Sequence, residues 1–338
     1  MRESGVAPDS LQLQDHKGCT LKLRPPVAMT KFCHISALLL VYNTQDMKIG
    51  AFELDEPLPE LHKPYAFAIL RPWIDAGAVG SLTINLLEDT FVAHALGRLT
   101  KPGNFFDFTR YRPTIRLIDG KRNIIIPNTY LHFATRQDGN DMVFFHLLEP
   151  HMGGEYYTGS LLKVLRLLDV KQYFLLGSMY DTVPHTRPLL VSGFSSSPEL
   201  MDQLNKLGVN SSDYEGPTTI TTLTSQEAAK HDIAATTLIV HLPQYAQLEE
   251  DYAGHLRLAE VICSLHDFHI DLSQIRNKAN SQYEKLDKAM KKDKQFEEMV
   301  QQLELLYESR TENHTEEQTR LSPEIEKFLS EIDKKFRF

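Results

Sequence analysis

Residues 64–92, PYAFAILRPWIDAGAVGSLTINLLEDTFV, carry the reading that decides the fold. Residues 65–70 form a short apolar run fenced by Pro64 and Pro72, the pattern of a buried strand. Beyond Trp73 the spacing changes. Asp75 is placed to cap a helix, and apolar residues recur at Val79, Leu82, Leu86, Leu87 and Val92. A strand that passes directly into an amphipathic helix is the building unit of an α/β sheet.

Working outward, the same alternation continues. Strands are predicted at Thr114–Ile118, 123–126, Met142–Leu148, 173–176, 189–193 and 234–241, and helices at 156–168, Pro198–Lys206, 226–231 and Tyr252–His266. Strands rich in Val, Ile, Leu and Phe between helices indicate a sheet covered on both faces. A turn at Asp119-Gly120 adds a hairpin, so the sheet is expected to be mixed. The fold class expected is α/β, three-layered around a mixed sheet.

Composition excludes several function classes. The 338 residues are 42% hydrophobic and 24% charged, as in an ordinary globular protein, and the net charge of −9 argues against a duplex nucleic-acid binder. Cys19, Cys33 and Cys263 form no CxxC pair and no disulfide framework. The apolar run at 35–42 is far shorter than the roughly 20 residues of a membrane span. A cytoplasmic protein bound neither to membrane nor to nucleic acid is expected.

Both ends depart from this pattern. Residues 1–46 mix Gly5, Pro8, Pro25 and Pro26 with one apolar run and show no sustained period. They are expected to be disordered, or to reflect a gene start placed upstream of a natural initiator at Met47. The α/β domain is expected over 47–272. From 273 to 338 roughly two residues in five are charged, against about one in five before. One long helix is expected over 274–308, with an apolar stripe at Ala279, Tyr283, Leu286, Met290, Phe296, Val300, Leu303 and Tyr307. The stripe needs cover, either from its own domain or from a neighbouring subunit. A homo-oligomer is the expectation, with a trimer the size considered. A last helix is read at 322–332, opened by Ser322-Pro323-Glu324.

Motifs for phosphate cradles, dinucleotide sites, nucleophile elbows and HExxH zinc sites are absent from the sequence. No cofactor, metal or catalytic set is assigned. A polar stretch does follow the strand at 173–176, and its Asp181, His185 and Arg187 are able to bind an anion or relay a proton. Tyr214 and Glu215 form a second polar cluster, and His241 and Tyr245 a third, which again follows a buried strand. These seven residues are the candidate polar crevice. An Asp–Arg pair that merely fixes the loop is the plainer reading.

These clusters, taken in order, resemble the proteasome assembly chaperone 2 family. Pro184-His185-Thr186-Arg187-Pro188 resembles that family's PHTRP loop, and His241-Leu242-Pro243-Gln244-Tyr245 its HxPHY element, with Gln244 where histidine is usual. Trp73-Ile74-Asp75-Ala76-Gly77, Tyr111-Arg112-Pro113, Glu149-Pro150 and Tyr214-Glu215-Gly216-Pro217 fall in the family's order, as do Leu303-Glu304-Leu305-Leu306-Tyr307 and Ile325-Glu326-Lys327-Phe328-Leu329. The resemblance implies a phosphorylase/hydrolase-like fold with a C-terminal helical extension, and an oligomer. It also implies a non-enzymatic, assembly-chaperone-like role with protein partners, since eukaryotic and archaeal relatives escort proteasome subunits. The role of bacterial relatives is not fixed by it. The competing reading is an enzyme or small-ligand binder that uses the crevice.

Overall fold

The structure, a computed structural model, describes residues 46–312 apart from 138 and 213. The expectations for 1–45 and for the helix at 322–332 fall outside the described residues. Chain order is β1 Met47–Ile49, β2 Phe52–Leu54, β3 Tyr65–Arg71, α1 Val79–Phe91, β4 His94–Leu99, β5 Thr114–Ile118, β6 Lys121–Ile125, β7 Tyr130–Ala134, β8 Met142–Leu148 and α2 Gly154–Leu167. It continues with β9 Gln172–Asp181, β10 Val191–Ser195, α3 Pro198–Lys206, β11 Val209–Ser211, α4 Ile220–Ala229, β12 Ala234–Pro243, α5 Tyr252–His266, α6 Ser273–Met290 and α7 Lys294–Glu312.

Ten of these strands make one sheet in the order β1-β2-β4-β7-β8-β3-β9-β12-β10-β11. Its centre, β8-β3-β9-β12, is parallel. The flanks turn antiparallel at β7 and at β10. The fold is therefore α/β with a mixed sheet, but the mixing does not come from the Asp119-Gly120 hairpin. That turn, with both residues at positive φ, joins β5 and β6 into a separate two-stranded sheet.

Side-chain alternation divides the core in two. Ala66, Ala68 and Leu70 of β3 join a cluster with Tyr157, Leu161, Ile220 and Ala228, which lies beneath α2 and α4. Phe67 and Ile69 join the opposite cluster, with Val79, Ile84, Leu200, Leu258 and Ile262 beneath α1, α3 and α5. Asp75 does serve the start of α1, across an intervening 3-10 turn. Its carboxylate accepts the Ser81 N–H at 3.1 Å and the Ser81 hydroxyl at 2.6 Å.

Close approach of α1 to the sheet depends on Gly80. A Cβ there would stand 2.3 Å from Ile69 Cδ1 and 2.9 Å from the Leu176 carbonyl oxygen. Gly80→Ala should therefore lower stability by about 1–2 kcal/mol net, despite the better helix propensity of alanine. The readout is a lower urea midpoint at unchanged slope; an unchanged midpoint would mean that α1 shifts off β3 at no cost.

Three further expectations need correction. The helix read at 226–231 is α4, Ile220–Ala229. Its Thr-rich start looks unhelical, but packing overrides propensity by burying Ile220, Thr221, Thr224 and Ala228. The strand read at 173–176 runs on to Asp181. The single helix read over 274–308 is two, α6 and α7, broken at 291–293. Its stripe is covered within the chain. Ala279 is buried, Tyr283 packs on the α1/α5 core, and Val300 and Leu303 close on Tyr245, Met290 and Phe296. The stripe therefore does not call for a neighbouring subunit.

Candidate functional site

The parallel centre brings the carboxyl ends of β9 and β12 to one edge of the sheet. Their register pairs Met179 with His241 and Asp181 with Pro243, so Asp181 and His241 are diagonal neighbours. Asp181 Oδ2 accepts from His241 Nδ1 at 2.8 Å and from Arg310 Nη1 of α7 at 3.0 Å. Burial alone would raise the Asp181 carboxyl, but the His241 bond and the Arg310 charge outweigh it and hold that carboxyl well below the ordinary carboxylate range. His241 uses its other nitrogen, Nε2, on Ser192 Oγ at 2.7 Å. Ser192 reaches it because β10 pairs antiparallel with β12, Ser192 opposite Ile239.

His185 forms a second centre in the loop between β9 and β10. The Tyr245 hydroxyl accepts the His185 backbone N–H at 2.7 Å and lies 2.7 Å from His185 Nδ1. When the hydroxyl donates to Nδ1, the ring proton stands on Nε2. That nitrogen is 3.2 Å from Asp287 Oδ1 of α6, too far off line for a good hydrogen bond. Phe296 stacks over the imidazole, with Tyr283 edge-on. Burial is the largest influence on His185 and lowers its pKa against the opposing pull of Asp287 and Glu304. Burial also raises the Tyr245 hydroxyl.

Arg187 completes the loop as a clamp on α7. Its Nη1 donates to Glu304 at 2.9 Å and its Nη2 to Glu308 at 2.8 Å. Thr186 also donates to Glu304, and the Tyr307 hydroxyl donates to the Pro188 carbonyl at 2.9 Å. Helix α7 thus lies over the loop, and the chain's own side chains occupy the polar groups that an incoming ligand would need.

Five of the seven candidate residues therefore meet: Asp181, His185, Arg187, His241 and Tyr245. Tyr214 and Glu215 do not join them. Tyr214 is exposed and donates to the Pro217 carbonyl within its own loop. That loop leads into α4, on the α2 side of the sheet, whereas α6 and α7 continue from α5 on the other. Gln244, the departure from the family pattern, contributes its backbone N–H to the Asp181 carbonyl at 3.1 Å.

Sequence reading missed Ser192 and Arg310, because strand register and helix docking bring them in, and no local spacing signals either. The order Asp181–His241–Ser192 is that of a carboxylate, base and hydroxyl. Ser192, however, sits inside a strand paired on both sides, where neighbouring N–H groups serve the sheet rather than an oxyanion. A concavity of about 580 Å³ lies elsewhere, lined by Phe106, Asp107, Phe108, Arg110, His151 and Met152. No described helix is long and apolar enough to cross a membrane.

Comparison with known proteins places this fold. A Corynebacterium glutamicum protein of unknown function superposes with a TM-score of 0.69 at 20% identity, over 78% of this chain and 98% of its own. A PAC2 family protein from Streptomyces avermitilis gives 0.61 at 26% identity, over 67% and 95%. A proteasome-assembly chaperone homologue from Mycobacterium tuberculosis gives 0.62 at 23% identity, over 70% and 99%. No curated protein matches the chain. The PAC2 family profile matches residues 69–290, about two thirds of the sequence. On that match, the chain belongs to the PAC2 family.

Proposed function

We propose that this chain is a non-enzymatic, assembly-chaperone-like protein of the cytoplasm, which works through protein surfaces and associates with copies of itself. The observation that carries the reading is the β5–β6 hairpin. Every residue of both strands is exposed; Ile115, Leu117 and Ile124, which the register puts on one face of the hairpin, are 64%, 72% and 68% exposed, and Ile118 and Ile125 lie on its other face. A contiguous apolar patch of this kind marks a protein contact. Burying each such side chain is worth about 1.5–3 kcal/mol. The hairpin carries Arg116, Lys121 and Arg122 against Asp119, while the whole chain is acidic. The acidic body of a second copy therefore offers charge complementary to this basic, apolar hairpin. The kinship with a proteasome-assembly chaperone homologue makes other protein subunits a further class of partner.

Light scattering tests the self-association. The full chain should show an oligomeric mass at micromolar concentration, and the triple variant Ile115→Asn, Leu117→Asn, Ile124→Asn should fall to the monomer with an unchanged circular-dichroism spectrum and a cooperative melt. A wild-type monomer under those conditions overturns the self-association.

The second reading, an enzyme or small-ligand binder, rests on the Asp181–His241–Ser192 chain of hydrogen bonds. Loss of a hydrolytic activity in His241→Ala at unchanged stability would favour it.

A further inference from the structure

Three side chains far apart in the sequence meet at the other half of the sheet. Strands β7 and β8 pair with His132 opposite Phe144 and His146 opposite Tyr130, so the two histidines are diagonal neighbours on one face. Phe144 shares a core with Ile84 and Leu87 of α1, so α1 covers that face. Glu88, the next residue of α1, brings Oε1 to 2.7 Å from His132 Nδ1 and 2.7 Å from His146 Nε2. All three donor atoms lie within 4.8 Å of one another. The two rings, 5.2 Å apart and tilted by 54°, flank the carboxylate.

As they stand, these contacts make a hydrogen-bond network, in which two N–H groups donate to one oxygen. Convergence on a single oxygen, rather than one bond to each, is also what a shared central atom requires. Two imidazoles and one carboxylate are the donor set of a three-ligand zinc site. Two of the donors stand on paired strands and the third on a packed helix, and rigid supports of that kind hold a site to its geometry. Glu88 and His146 keep only 14% and 12% of their side-chain surface, while His132 keeps 33%. The cluster is thus sheltered, with an approach on the His132 side. Tetrahedral donors at zinc bond lengths stand about 3.3 Å apart, so each N···O separation needs to open by about 0.6 Å, within reach of side-chain torsions.

We propose that Glu88, His132 and His146 bind a zinc-class divalent cation, with water in the fourth position. The nitrogen donors disfavour magnesium and calcium, which take oxygen shells. Binding turns each imidazole to its other tautomer, His132 coordinating through Nδ1 and His146 through Nε2. The second ring nitrogens have no protein hydrogen-bond partner among the described residues. Such partners are worth 10–100-fold in affinity, so the dissociation constant is expected to be micromolar.

The test uses the full chain, stripped with a chelator, then titrated with zinc by calorimetry and with cobalt(II) by visible absorption. The wild type should take one ion per chain, show the intense absorption of low-coordinate cobalt, and gain about 5 °C in melting temperature at saturating zinc. Glu88→Gln and His132→Ala should each weaken binding at least ~10-fold. His269→Ala, from an exposed His–Asp pair, should leave binding unchanged. If Glu88→Gln fails to fold, His132→Ala and the cobalt spectrum decide. Failure of the wild type to bind stoichiometrically, or binding that His132→Ala retains, overturns the proposal.

Discussion

Leu303→Ala should free helix α7 from the domain while the sheet stays folded. Leu303 is 1% exposed and packs with Met299 and Val300 against Tyr245, Met290 and Phe296. This cluster is separate from both sheet cores. Truncating a buried leucine to alanine costs about 2–4 kcal/mol, and the partly exposed clamps from Arg187 to Glu304 and Glu308 add little that could make up the loss. Since α7 ends the described chain and docks through its own small cluster, the loss falls on local opening rather than global unfolding. Hydrogen exchange should accelerate roughly 100-fold across α7, as about 2.7 kcal/mol implies, with the amides of β3 and β9 unchanged. Equal acceleration in those strands would show that α7 and the sheet unfold as one unit.

That docking separates what the sequence could reveal from what it could not. Strand β3 and helix α1 were legible because an apolar run, a proline fence and a helical period fall side by side. The end of β9 was not. Gly177 and Ser178 break the apolar pattern for a tertiary reason: a Cβ at Gly177 would stand 2.7 Å from the Ile74 carbonyl oxygen, and Ser178 bridges to Asp75. The segment after β3 runs alongside β9, and only glycine leaves room for it. The stripe on α6 and α7 was visible, but an apolar face does not say whose surface covers it.

Within the candidate site, His185, His241 and Tyr245 could be placed at one edge, because each follows a buried strand in α/β order. Ser192, Arg310 and the Glu88–His132–His146 cluster depend on strand register and helix docking, with no counterpart in residue spacing. Tyr214 and Glu215 have the same polar character as the others, but they follow β11 and precede α4. Composition alone therefore grouped them with an edge to which the chain does not bring them.

Asp181→Asn should lower stability by about 2 kcal/mol at neutral pH, and the deficit should shrink on acidification. The substitution keeps the shape but removes the charge of a largely buried carboxylate that accepts from His241 and Arg310, and hydrogen bonds to a charged group are worth about 1.5–3 kcal/mol. In the unfolded chain an aspartate titrates near ~3.9, and in the folded protein Asp181 titrates well below that. Between the two values the unfolded state binds more protons, so stability rises with pH there. The contribution of Asp181 is therefore complete above about pH 5 and is lost as pH falls through the folded value. The variant lacks this term, so its acid limb should be flatter. His185, lowered by burial, adds a slope of the same sign as pH falls below about 6.5, but it does so in both proteins and cancels in the comparison. Urea unfolding of wild type and variant from pH 7 to pH 2 reads the difference. A gap that stays constant over that range would assign the loss to packing and remove the charge from the account of how α7 is held.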